Sequence, residues 1–156
     1  MDTKEFERLT ALYLDCIYRV VYSGCRNDAD TEDVVQNTFL KLLERKEGFP
    51  EDAQAKYWLI RVAMNECKSL WRTPWRQRVT STEELLSEPA FENPEESELY
   101  YAVRELPVKY RQVVHLYYFE EYSVKEIAGL LTLSETAVQT RLLRARQKLK
   151  EMLKEA

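Results

Sequence analysis

Five cations lie close together near the end of the chain. Arg141, Arg144, Arg146, Lys148 and Lys150 fall within the segment QTRLLRARQKLK, and no acidic residue separates them. Guanidinium and ammonium groups bind the phosphate oxygens of nucleic acids, while neighbouring polar side chains can contact base edges. The chemistry that suits these residues is therefore recognition of a nucleic acid.

A second set of polar residues follows helical spacing in the first half of the chain. Arg61, Asn65, Lys68 and Arg72 are separated by four, three and four residues, which places them in one row on a helix. Basic groups follow phosphates, and amides or aromatic rings bind unpaired bases. An ordinary solvated helix face has the same pattern, and periodicity alone favours that alternative.

Residues that could serve catalysis or metal binding show no recognisable arrangement. Cys16, Cys25 and Cys67 form no CxxC pair, and together with the single histidine, His115, they lack the spacing of a zinc site. The three glycines form no P-loop or dinucleotide-binding pattern. We therefore expect no metal, no cofactor and no enzymatic activity. An enzyme that uses Cys67 or His115 is the weakest hypothesis.

Acidic residues are concentrated in the middle of the chain. The formal net charge is -4, and residues 77–100 contain seven glutamates but one basic residue. Residues 101–156, in contrast, contain ten basic and seven acidic residues. The middle segment also has Pro89 and Pro94 and no long apolar periodicity, which is typical of a linker. We predict two domains, 1–76 and 97–156, joined by a flexible acidic linker over 77–96.

Membrane and secretion signals are missing from the sequence. No apolar run approaches the roughly 20 residues that span a bilayer. The first residues lack the basic start, apolar stretch and cleavage site of a secretory signal. We expect a cytoplasmic protein with no membrane insertion.

The first predicted domain, which contains the row of residues 61–72, should consist of three helices. Its apolar residues recur at steps of three and four, which is typical of helices packed on one side. The first helix should end near Gly24, the second at Gly48 and the third at Pro74. Together they can bury one small core. Its expected members are Phe6, Leu9, Leu12 or Tyr13, Cys16, Val20, Val35, Phe39, Leu42, Leu43, Leu59, Ile60, Ala63, Cys67 and Leu70.

The element that positions the five C-terminal cations is predicted to be the second helix of a helix-turn-helix. In the first helix, Ile127, Ala128 and Leu131 point inward, Leu133 fills the turn, and Ser134 caps the second helix. The complete fold class is therefore all-α, with two small helical domains and a helix-turn-helix at the end of the second.

The second helix of this unit has one apolar stripe and one polar face. The stripe contains Val138, Leu142, Ala145 and Leu149. The opposite face presents Thr136, Gln139, Thr140, Leu143, Arg144 and Gln147, with Arg141 and Lys148 along one edge and Arg146 along the other. Polar residues at the front and cations at the borders suit a helix that lies in the major groove of DNA. A protein partner could also use this face.

Two stretches resemble a known family. The segment LPVKYRQVVHLYYFEEYSVKEIAGLLTLSETAVQTRLLRARQKLK is similar to the fourth conserved region of bacterial sigma factors. DADTEDVVQNTFLKLLE followed by AKYWLIRVAMNECKS is similar to the second. The segment between them is too short for the intervening domain of primary sigma factors, so the chain resembles the small extracytoplasmic-function group of the sigma-70 family.

This resemblance implies partners for each region. The helix with Asp33, Gln36 and Asn37 would bind the clamp helices of the largest subunit of RNA polymerase core. The loop GFPEDAQAK and the following helix would capture unpaired bases of the promoter minus-ten element. The residues implied for that contact are Lys56, Arg61, Asn65, Lys68 and Arg72.

For the fourth region, the resemblance implies contacts to the polymerase flap and to the minus-thirty-five element of promoter DNA. The implied DNA contacts are Gln139, Thr140, Arg141, Leu143, Arg144, Arg146 and Lys148. An anti-sigma factor is a further implied partner. Thr132 departs from the family, which usually has glycine at this turn, so a positive φ here would be unfavourable.

Two alternatives remain open at this stage. The chain could be a DNA-binding regulator that does not associate with polymerase core. The acidic linker could be a plain tether, which its composition favours, or its glutamates could occupy basic channels of the polymerase, as the resemblance suggests.

Overall fold

The structure is a computed structural model that describes residues 1–25, 27–71 and 94–154. These residues form helices and connecting turns, with no strand among them, so the predicted all-α class is confirmed. The chain divides into two compact units, Met1–Glu84 and Leu85–Ala156. Arg72, Pro74 and most of the predicted linker lie outside the described residues.

The described part of the first unit contains three mutually packed helices: α1 (Thr3–Gly24), α2 (Asp28–Glu44) and α3 (Asp52–Trp71). Asp2 and Asn27 cap α1 and α2, since their side chains accept hydrogen bonds from backbone N–H groups of the first turn. Large side chains from all three helices are fully buried, among them Ile17, Leu42 and Leu59. Burial of this shared apolar surface is what stabilises the unit.

Most of the predicted core of the first unit is buried, and Phe6 and Leu70 are half-buried. Leu43 is 46% exposed, so its placement in the core was wrong. Of the two alternatives, Leu12 or Tyr13, Leu12 is 52% exposed and Tyr13 is half-buried. Thr31 and Thr38 are buried instead. The Thr38 hydroxyl donates to the Val34 carbonyl at 2.7 Å, which satisfies its polar group inside the helix. The second helix also ends at Glu44, before the predicted stop at Gly48.

The second unit is built around its last helix. Its elements are α4 (Pro94–Glu105), α5 (Val108–Val114), a π-helical turn (His115–Phe119), α6 (Val124–Leu131) and α7 (Glu135–Lys154). Helix α7 packs against α4, α5 and α6. Helix α4 begins inside the segment that was predicted to be linker. This arrangement leaves one side of α7 exposed.

The predicted helix-turn-helix is present as α6 and α7. Ser123 and Glu126 form a capping box at the start of α6. At the start of α7, the Ser134 hydroxyl accepts a hydrogen bond from the Ala137 N–H at 3.0 Å, as expected for a cap. Ile127, Ala128 and Leu131 are buried, also as expected.

Thr132 at the turn has a left-handed backbone conformation, with φ 57° and ψ 50°. Its N–H donates to the Ala128 carbonyl and ends α6. The Leu133 N–H reaches the same carbonyl at 2.9 Å. A β-branched side chain is unfavourable in this region, so the turn is formed at a conformational cost that glycine would avoid.

We expect Thr132→Gly to raise the free energy of unfolding of the second unit by about 0.5–1 kcal/mol, because relief of backbone strain exceeds the entropy that glycine loses. Thermal unfolding followed by circular dichroism checks this. Thr136→Gly is the matched control, since Thr136 lies within α7 and the change should lower stability by a few tenths of a kcal/mol. Loss of stability in both variants would show that Thr132 is unstrained.

Candidate nucleic-acid interface

The exposed side of α7 carries most of the residues that were predicted to contact duplex DNA. Gln139, Arg144 and Lys148 are exposed, and Leu143 has 55% of its surface accessible. Thr140 and Arg141 are half-buried. The opposite side is anchored by the buried residues Val138, Leu142 and Ala145. The face is therefore fixed in orientation by the packing of the helix behind it.

Arg146 lies at the other border of this face and contacts aromatic residues of the π-helical turn. Its Nε donates to the Tyr118 hydroxyl at 2.6 Å. Its guanidinium lies 5.7 Å from the centre of the Tyr117 ring and 5.6 Å from that of Tyr118. These contacts hold the cation in place at the edge of the exposed face.

Tyr110 of α5 is a residue of this site that the sequence reading missed. Its ring is buried against Ala145, and the amines of Lys109 and Lys148 lie 5.0 and 5.7 Å from the ring centre. Desolvation raises the pKa of the Tyr110 hydroxyl, but hydrogen bonding from Arg144 and the nearby cations outweigh it, so the net pKa is lowered. The phenol oxygen therefore lies near Arg144 and the other cations at the border of the exposed face. The position of Tyr110 in an apolar stretch gave no signal of this proximity.

Helix α3 carries the row that was predicted to contact unpaired bases. Arg61 and Asn65 are exposed, and Lys68 is half-buried beside them. Lys56 lies elsewhere, because five residues before Arg61 correspond to about 140° around the helix. Desolvation and then Asp52 raise the pKa of the Tyr13 phenol on α1, and Lys56 opposes this shift, so Lys56 lies near α1. The structure therefore groups Arg61, Asn65 and Lys68 but not Lys56.

Trp58 lies on the same side of α3 as Asn65, since the two are separated by about two helical turns. It is half-buried and packs against Phe49 of the preceding loop, with ring centres 5.7 Å apart and planes tilted by 56°. The row therefore has an aromatic residue at its N-terminal end. The sequence analysis assigned no role to Trp58.

The start of α3 is fixed to α1 by charged and polar contacts. Arg8 donates to both carboxylate oxygens of Asp52 at 2.8 Å and also pairs with Glu5. Hydrogen bonding from Arg8 lowers the pKa of both Glu5 and Asp52. The Tyr13 hydroxyl donates to the Asp52 carbonyl at 3.1 Å. The loop that precedes α3 is thus tied down where the helix begins.

Helix α2 presents the residues that were predicted to bind a protein. Asp33, Gln36 and Asn37 are all exposed on one side. Leu40, on the same side, is 50% exposed. Phe39 is buried on the other side, as expected. Lys41 forms an ion pair with Glu66 of α3, which joins the two helices. A polar surface with one apolar residue suits a protein interface.

The described residues contain no group of three or more histidine, cysteine or acidic side chains that could hold a metal ion. The Sγ atoms of Cys25 and Cys67 lie 3.7 Å apart in the core. Hydrogen bonding with Cys25 and burial raise the pKa of the Cys67 thiol, which disfavours the reactive thiolate. His115 is stacked on Phe119, with ring centres 5.3 Å apart. Within the described ranges, no helix has the length and apolar character needed to cross a membrane.

Comparison with known proteins gives two family matches. The family described as Sigma-70 region 2 matches residues 9–77, and that described as Sigma-70, region 4 matches residues 96–149. The RNA polymerase sigma factor SigV of Bacillus subtilis is 28% identical over 151 residues, with 91% of each chain covered. The ECF RNA polymerase sigma factor SigM of the same organism is 27% identical, with 94% of this chain and 93% of SigM covered.

A solved structure has a similar fold. It is the sigma factor RpoE in complex with the anti-sigma factor NepR from Bartonella quintana, with a TM-score of 0.77 and 24% identity over 97% of this chain and 98% of that one. Both family matches fall on the two helical units, in the order that the sequence motifs indicated. The chain therefore belongs to the sigma-70 family of bacterial RNA polymerase sigma factors, in its extracytoplasmic-function group.

Proposed function

We propose that this RNA polymerase-binding, promoter-specific sigma factor divides its work between its two units. Residues 1–76 bind polymerase core and the minus-ten element, residues 97–156 bind the minus-thirty-five element, and 77–96 link them. The observation that carries this proposal is the match of region 2 and region 4 to separate helical units. The chain acts by binding and leaves bond chemistry to the polymerase.

The polymerase contact is assigned to the exposed side of α2. Asp33, Gln36 and Asn37 can bond to polar groups of the clamp helices, and Leu40 can bury its exposed side chain between them. This side of α2 is opposite its buried residues, so binding there requires no unfolding of the unit. A second polymerase contact, to the flap, is proposed for the second unit from family membership alone.

The minus-ten contact is assigned to the row on α3. Arg61 and Lys68 are placed to follow phosphates, and Asn65 can bond to the edge of an unpaired base. Trapping bases outside the stack offsets part of the cost of unpairing the duplex, and so assists promoter melting. Arg72 belongs to the same proposal but lies outside the described residues. Lys56 lies on the side of α3 that is turned towards α1 and is therefore not part of this row.

The minus-thirty-five contact is assigned to the exposed side of α7. Gln139, Thr140 and Arg144 can bond to base edges in the major groove, and Leu143 can pack on a thymine methyl group. Arg141, Arg146 and Lys148 lie along its borders, where the phosphates of the groove would pass. Their charge gives local attraction to DNA on a chain that is acidic overall.

Regulation and location follow from the same proposal. The protein acts on the bacterial chromosome, so we place it in the cytoplasm. An anti-sigma factor remains a predicted partner of this chain.

A pull-down tests the proposal against the alternative of an independent DNA-binding regulator. The purified chain is mixed with polymerase core in the absence of DNA. A sigma factor is retained with core under these conditions. A chain that fails to bind core but still binds DNA would support the independent regulator.

Neutralising the acidic linker separates its two possible roles. We expect that changing Glu83, Glu84, Glu88, Glu92, Glu95 and Glu96 to glutamine leaves the affinity for core unchanged, because a tether needs only length and flexibility. The measurement is affinity for core at low and high salt. Weaker binding that appears at low salt and shrinks at high salt would show instead that the glutamates occupy basic channels of the polymerase.

A further inference from the structure

One cation, to which the sequence reading gave no role, joins the end of α2 to the start of α3. The guanidinium carbon of Arg45 lies 4.2 Å from the centre of the Phe49 ring and 5.1 Å from that of Trp58. Its Nε donates to the Glu47 carbonyl at 3.0 Å. A single side chain therefore contacts the loop backbone, a loop aromatic ring and an aromatic ring of α3.

The position of these contacts distinguishes Arg45 from a core residue. Arg45, Phe49 and Trp58 are all half-buried and lie at the edge of the unit. The buried core of α1, α2 and α3 is complete without them. Loss of the Arg45 side chain should therefore loosen the loop between the helices while the packing of the helices is kept.

The order of the loop matters because Trp58 lies at the N-terminal end of the row that contains Asn65. The other end of the loop is already fixed, since Arg8 pairs with Asp52 where α3 begins. A loop held at both ends loses little conformational entropy when it meets a ligand. A loop held at one end must be ordered during binding, which weakens the complex.

We propose that Arg45 is a positioning residue for base capture, which holds Phe49 and Trp58 in place so that the loop between α2 and α3 meets an unpaired promoter base already ordered. This inference rests on the proposed minus-ten function of α3. Arg45 acts through the two aromatic residues and need not touch DNA itself. Its effect should be confined to promoter melting, and core binding should not depend on it.

The test compares double-stranded and pre-melted templates. The promoter is first recovered by run-off transcription with wild-type protein and core polymerase, and a second template then carries mismatches across its minus-ten element. Open complexes are measured by the permanganate reactivity of unpaired thymines. On the duplex, Arg45→Ala should form about tenfold fewer open complexes, from loss of the cation–π contacts and the hydrogen bond. On the mismatched template, where unpairing is already achieved, it should be within about twofold of wild type.

Two further variants show whether the effect is specific. Arg45→Lys keeps a cation near the rings but loses the donor to Glu47, so its defect should be intermediate. Arg19→Ala removes an exposed cation of α1 and should behave as wild type. Affinity for core and thermal unfolding are measured for each variant. For Arg45→Ala the affinity should be unchanged, and unfolding should remain one cooperative transition, lowered by no more than a few degrees through loss of the loop contacts.

Three results would overturn the inference. Equal losses on the two templates, or a fall in core affinity with Arg45→Ala, would give Arg45 a general structural role. An unchanged level of open complexes on the duplex would give it no role in melting. If the wild-type protein itself forms no open complex with core, the proposed function fails first, which is a distinct outcome.

Discussion

Arg144→Ala should abolish promoter-specific transcription while leaving affinity for polymerase core intact. Arg144 is exposed on the side of α7 opposite the buried residues Val138 and Leu142, where its guanidinium can reach a base edge. Loss of one good base contact costs about 1–3 kcal/mol of discrimination, or roughly 5- to 150-fold. The measurement is affinity of the holoenzyme for promoter and scrambled duplexes, alongside run-off transcription.

The matched control for this variant is Lys154→Ala, which removes a cation from the last turn of the same helix. We expect that control to keep the preference for promoter over scrambled DNA. If Arg144→Ala weakens binding equally on both duplexes, Arg144 only positions the DNA backbone. In that case the assignment of base recognition to Arg144 is wrong.

The second large effect is expected from Asp33→Ala combined with Gln36→Ala, which should weaken binding to polymerase core. Both side chains are exposed on one side of α2, and the truncation should cost about 2 kcal/mol in total, or roughly 30-fold in affinity. The helix itself should remain folded, because its buried side is unchanged and alanine favours helix. Competition with a labelled wild-type chain for limiting core measures the loss.

Asp15→Ala provides the control, since it removes an exposed carboxylate from a different helix, α1. It should compete as well as wild type. Unchanged affinity of the double variant would remove the clamp-helix assignment from α2. A loss accompanied by a lower unfolding temperature would reveal damage to the fold.

Much of this fold could be predicted from residue periodicity. The stripe of Val138, Leu142 and Ala145 on α7 is buried as predicted, because a helix packed on one side must place apolar residues at steps of three and four. The cap at Ser134 was also predicted from local chemistry and is present, whereas the turn at Thr132 was singled out only by comparison with the family's usual glycine. These features depend on neighbours in sequence.

The wrong predictions of core residues concern positions whose burial depends on side chains from other helices. Leu12 and Leu43 have the right residue type for a core but lie at its margin, where no helix covers them. The buried Thr38 was missed because its hydroxyl bonds to its own helix, which hydrophobicity does not reveal. The grouping of Lys56 with Arg61 and Asn65, in contrast, could have been rejected from helical spacing alone.

The contacts around the candidate site residues also depend on the tertiary structure. Tyr110 of α5 lies near Arg144 of α7, and Arg45 lies over two aromatic rings that follow it in the chain. No regular spacing of residue types in the sequence predicts either contact. The grouping of polar residues on a helix face is therefore predictable, whereas the residues that hold them in place need the structure.

The most direct test of the account is run-off transcription of fragmented genomic DNA by purified polymerase core, with and without this chain. If the chain is a sigma factor, discrete transcripts should appear only when it is present, with start sites downstream of a shared pair of sequence elements. The same transcript pattern with and without the chain, or transcripts that decrease when it is added, would contradict its role as a sigma factor.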